Sequence, residues 1–194
     1  MRVHRSLTVA ALTATVAALM ALPLAAQMAS RAIPPLPNSG VQPTAPVKVP
    51  LALLYVVERT CDDRLRGVGE PNTVDMLGAT RGVYLDGYGV VFSAEIGLVS
   101  PPPIYPFHQT VTPQEKVQIH EKMVQRLPVL RKAMKEMMHA AAGTLNNIPE
   151  AQQIVMAVRL DYMKWEDTSG LPGMILMKAD RKSALAGIVQ TSEE

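Results

Sequence analysis

The stretch that most constrains the fold is Thr80 to Leu98, TRGVYLDGYGVVFSAEIGL. From Gly89 onward, Val90, Phe92, Ala94, Ile96 and Leu98 alternate with Val91, Ser93, Glu95 and Gly97. A period of two marks a strand with one buried face. Upstream, Val83 and Leu85 alternate with Gly82, Tyr84 and Asp86. Asp86-Gly87 between the two runs tolerates the positive φ of a tight turn, so the stretch is predicted to be a β-hairpin. Gly89 marks a bulge or a close approach of backbone.

The remaining elements are read by the same rules. Leu51, Leu54, Val57, Cys61 and Leu65 step by three and four, which predicts a helix over 51–65 between Pro50 and Gly67. Asp62, Asp63, Arg64 and Arg66 are expected on its solvated face. Thr112-Pro113-Gln114-Glu115 is a capping box that opens a longer helix over 112–142, with Ile119, Met123, Leu127, Leu130, Met134, Met137 or Met138, and Ala141 as its apolar stripe. Pro128 removes a backbone donor inside it, so a kink or two helices meeting near Leu127 is expected. Ile154 to Trp165 alternates again, and Gly173 to Ala179 is a fourth strand across the loop EDTSGLP. Asp180 caps a short helix over 181–186, and the tail from Gln190 is expected to fray.

The order helix, two strands, helix, two strands, helix predicts an α+β fold: an antiparallel four-stranded sheet from two hairpins, with the helices packed on one face. About 140 residues suffice for one such domain, placed at 51–189 with a frayed tail at 190–194.

The N-terminal third is different. MRVHRS is a short basic head, Leu7 to Leu24 is apolar and uncharged, and Leu24-Ala25-Ala26 supplies small residues before a cut. This is the layout of a secretory signal peptide over 1–26, with export to the periplasm or beyond. A retained anchor is the rival reading, but the run is short for a span of about 20 residues. No Cys follows the cut region to take a lipid, and no later stretch is long enough to span a bilayer. Residues 27–50 carry Pro34, Pro35, Pro37, Pro43, Pro46 and Pro50 and read as an extended linker.

Charge and cysteine usage narrow the function classes. The chain has 19 Lys and Arg against 17 Asp and Glu. Loss of Arg2 and Arg5 with the signal leaves a neutral chain, which argues against a nucleic-acid partner. Cys61 is the only cysteine, so no intrachain disulfide forms, and a buried apolar role outweighs a bridge to another chain.

If the apolar sets pack on the helices, the opposite sheet face carries Tyr84, Ser93, Glu95, Arg159 and Asp161, with Lys178 beside them. Such a face can bind a polar ligand or a partner, although cross-strand ion pairs that keep it soluble are the more ordinary reading. Glu95 and Asp161 serve as general acid and base only if they share a cleft. His120-Glu121 opens like a zinc-protease helix motif, but Val124 stands where the second ligand belongs. His108, His120 and His139 are too scattered to argue a metal site. Met134, Met137, Met138, Met156, Met163, Met174 and Met177 make Cu(I) a chemical option, though Met at helical spacing is usually core filler.

GVYLDGYGVVF and WEDTSGLPGMILMKADR resemble segments of exported bacterial proteins of uncharacterised function, over about Leu51 to Ala186. The resemblance implies that the pieces form one domain, and it brings no activity, cofactor or site residue with it. The favoured expectation is a non-catalytic binding or interaction domain of the cell envelope, without a cofactor, meeting an envelope partner or a small ligand. The alternatives are an envelope hydrolase using Glu95 and Asp161, and a Met/His-rich copper-binding protein.

Overall fold

The computed structural model describes residues 48–69, 74–102 and 110–194. The signal segment, most of the linker and His108 lie outside them. The described residues form an α+β fold in the order α1 (Leu51–Gly67), β1 (Asp75–Met76), β2 (Arg81–Leu85), β3 (Gly89–Gly97), α2 (Pro113–Thr144), β4 (Gln153–Leu160), β5 (Met174–Asp180), α3 (Arg181–Leu185) and β6 (Gln190–Glu193).

All four expected strands are present, but the sheet they build is mixed and six-stranded, with β1 and β2 end to end along one side of β3 and then β4, β5 and β6 in turn. Both hairpins are antiparallel, β2 with β3 and β4 with β5, yet β3 and β4 run parallel. The cause is α2. A crossover of a dozen or more residues lets a chain return to the end where it began, and the 32 residues of α2 do so. Two further pairings enlarge the sheet: Asp75 and Met76 with β3, and the expected frayed tail, which is instead zipped to β5 as β6.

Gly89 sits where the two hairpins join. Its φ is +136°, and a Cβ there would lie 1.9 Å from the Gln153 carbonyl oxygen. Gln153 N–H donates to the Tyr88 carbonyl at 2.8 Å. The glycine is thus a close approach of backbone between parallel strands.

Every helix packs on one side of the sheet. Val90, Phe92 and Ile96 of β3 and Ile154, Met156 and Val158 of β4 meet Leu54, Val57, Cys61 and Leu65 of α1 and Met123, Leu130, Met134 and Met138 of α2 in one core. The capping box is present as expected, with Glu115 N–H donating to Thr112 Oγ1 and Thr112 N–H to Glu115 Oε2. Pro128 does not divide α2, which runs unbroken. Both Pro128 and Val124, whose carbonyl loses its donor, lie on the exposed side of the helix, where solvent has access to that carbonyl.

Asp62 departs from its expected solvated place. It is buried and accepts from Thr80 N–H at 2.8 Å and Thr80 Oγ1 at 2.6 Å. One turn earlier, Glu58 Oε1 accepts from Gly82 N–H at 2.7 Å. Two carboxylates four residues apart stand on one face of a helix, so α1 clamps the outer side of β2 through its backbone. Asp63, Arg64 and Arg66 do stay in exposed ion pairs.

At the far edge, Arg131 of α2 grips Glu193 of β6 with two bonds of 2.6 and 2.7 Å. That bond holds the Glu193 carboxyl below its usual range, against a smaller opposing effect of burial. A carboxyl depressed in the folded state stabilises fully above its unfolded pKa, and the contribution is lost as pH falls through the folded value. Below the ordinary carboxylate value of 4.5, the protection of the Gln190 and Ser192 amides, which face β5, is therefore expected to fall before that of β4, as read by hydrogen exchange against pH and corrected for the free-peptide rate. Gly89→Ala is expected to destabilise the fold by at least about 2 kcal/mol, from forced positive φ and a backbone collision; denaturant unfolding measures it.

Candidate functional site: the open face of the sheet

Since the helices occupy one side, the candidate site is the other, on which no described element packs. The pairing register places its residues in rows. Val83, Val91, Val155 and Lys178 form one row, and Arg81, Ser93, Ala157 and Leu176 the next. Glu95, Arg159 and Met174 form a third. Read across the rows, Leu85, Val83, Val91, Val155, Ala157, Leu176 and Met174 make a diagonal apolar stripe. Arg81, Ser93, Glu95 and Arg159 flank it on one side, and Gln153 and Lys178 on the other. Val83 is 55% and Leu85 46% exposed.

Four of the expected face residues are where the alternation put them. Ser93 and Arg159 are exposed, and Glu95 is half-buried beside Arg159. The Arg159 Nε stands 3.4 Å from Glu95 Oε1, an ion pair between directly opposed residues of parallel strands. Both side chains are more than two-fifths exposed, so solvent screens the pair. Lys178 also lies on this face, its ammonium 5.7 Å from the centre of the Tyr88 ring. β4 separates the two, so the lysine stem crosses it near Val155, which is only 6% exposed.

Tyr84 is on the other side. It faces Val90 across the hairpin and packs against the core, while Val83 and Leu85, expected inside, are outside. The loop sets this phase. Leu85 pairs with Gly89, so three residues, Asp86, Gly87 and Tyr88, make the turn. An odd number of loop residues reverses the phase that a two-residue turn would impose.

Asp161 lies just past β4, its N–H donating to the Ile96 carbonyl at 2.9 Å. Its charged neighbour is Glu166, whose carboxyl is raised chiefly by burial and further by Asp161, against the bond from Met163 N–H. Burial, with the Glu166 charge, pushes the Tyr162 hydroxyl up to about 12, and that hydroxyl donates to the Pro172 carbonyl. Around Glu95 the described residues form a shallow depression of about 300 Å³, lined by Gly78, Ala79, Arg81, Ser93, Ala94 and Arg159.

The other sequence candidates are placed as follows. Met134, Met137, Met138, Met156 and Met177 are buried in the core, Met163 is exposed and Met174 is half-buried. His120 Nδ1 lies 2.8 Å from the Asp167 carbonyl oxygen, and His139 is exposed. Cys61 is buried and free, and burial pushes its thiol up to about 12, which keeps it protonated and inert. Among the described residues no group of three or more His, Cys, Asp or Glu is placed to hold a metal ion, and no helix is long and apolar enough to cross a membrane.

Sequence reasoning missed Arg81, Tyr88 and the apolar stripe itself. The outward set Val91 and Val155 was visible in the alternation, but its alignment into a stripe needs the β3–β4 register. Compared with protein-family models, curated proteins and solved structures, the chain matches none.

Removing the Arg159 guanidinium is expected to leave stability nearly unchanged. Arg159→Ala should shift the unfolding free energy by less than about 1 kcal/mol, read by chemical denaturation.

Proposed function

We propose that this chain is an exported, non-catalytic binding domain of the cell envelope, and that it meets its partner with the open face of its sheet. The observation that carries this reading is the apolar stripe across four strands, bordered by charges and without a described element over it. Val83 and Leu85 face water, Val91, Ala157, Leu176 and Met174 are half-buried, and Val155 lies under the Lys178 stem; soluble proteins seldom leave such a band uncovered unless something docks there. The exposed side chains Val83 and Leu85 are the natural anchors, and Arg81, Glu95, Arg159 and Lys178 form a mixed polar border suited to setting orientation. The basic head and apolar run before Ala26 support export.

A photo-crosslinking amino acid at Val83 or Leu176 tests the reading in the cells that make the protein. Irradiation is expected to yield a defined adduct from each of these positions and none from Val117, an exposed residue of α2. Recovered protein is expected to begin at Gln27. Absence of adducts from both sheet positions, or equal labelling from Val117, would overturn the proposed surface.

A further inference from the structure

We infer that the occupant of the open face is a second copy of this chain, packed sheet on sheet about a two-fold axis that runs along the strands between β3 and β4. The inference rests on the open-face reading above and assigns its partner.

The face is self-complementary about that line. A two-fold axis there exchanges the β3 and β4 columns and keeps each row in place. Glu95 of one copy then opposes Arg159 of the other, and Arg159 opposes Glu95, since the two are register partners. The exposed ion pair of the single chain becomes a ring of four alternating charges. In the next rows Ser93 opposes Ala157 and Val91 opposes Val155. In these two rows the side chains of β3 and β4 are small or β-branched, and once the Lys178 stem turns off Val155 they let two sheets approach to the usual spacing of about 10 Å. Further out, Arg81 opposes Leu176 and Lys178 opposes Val83, so long basic side chains lay apolar stems on apolar residues while their charges reach the rim. An isologous interface needs this property of one patch matching itself.

Size sets the strength expected. Four columns about 4.8 Å apart overlap across this axis, β6 lying outside it, and with strands of about eight residues at 3.3 Å each they make a face of roughly 19 by 26 Å, on the order of 1,000 Å² buried over two copies. This is the lower edge of stable interfaces, so the association is reversible, with a dissociation constant on the order of 1–100 μM.

Sedimentation equilibrium of the full chain tests it, with unfolding curves on every variant to show that it folds. The unaltered chain is expected to dimerise. Glu95→Arg sets arginine against arginine across the axis and should weaken the dimer at least about tenfold, and the double change Glu95→Arg with Arg159→Glu should restore it. Ser93→Cys should be linked copy to copy by a bis-maleimide reaching about 10 Å, while Val117→Cys should not; Cys61 is only 1% exposed and does not compete. A chain monomeric up to about 1 mM, or a dimer indifferent to Glu95→Arg, overturns the inference. A defined adduct from Val83 to a different protein would leave the open-face reading standing and remove the second copy. Loss of every Val83 and Leu176 adduct would remove both.

Discussion

The contact between the Gly89 backbone and Gln153 organises this molecule. Each hairpin closes locally, but their union requires two parallel strands to lie edge to edge. At the start of that seam the chains come so close that a single methyl would overlap a carbonyl oxygen. The register that follows is what aligns Val91 with Val155, Ser93 with Ala157 and Glu95 with Arg159. A shift of one residue would turn the stripe inward and the core outward. The composition of the open face is therefore a consequence of one steric constraint at its end.

The edges of the sheet are secured by charged side chains from the helices. On the β2 side, Glu58 and Asp62 take the amides of Gly82 and Thr80, which would otherwise be offered to another strand. Burying two carboxylates is costly unless each is hydrogen-bonded, and each here has a backbone donor. On the β6 side, the fork of Arg131 matches the carboxylate of Glu193 with two bonds. Among the described residues the Glu95–Arg159 pair on the open face is shared with solvent.

Much of this was readable in advance because it is local. The capping box at Thr112, the stripe of α1 and the alternation from Val90 to Leu98 each depend on residues within a few positions of one another. Three features were not readable for the opposite reason. The face of Tyr84 depends on whether the turn holds two residues or three, which Asp86-Gly87 does not decide. The burial of Asp62 depends on a strand 18 residues away. The parallel join of β3 and β4 depends on which way α2 returns the chain.

The sequence by itself determined the three helices and the four longer strands, the capping box and helix stripes, and which residues of β3 alternate together, because periodicity and capping are properties of neighbouring residues. Only the tertiary structure decided that the sheet is mixed and six-stranded, that Tyr84 turns inward while Val83 turns outward, and that Glu95 meets Arg159. Those outcomes are set by register between strands far apart in the chain, and register is fixed by steric fit and by the path of the connecting helix, neither of which leaves a local pattern.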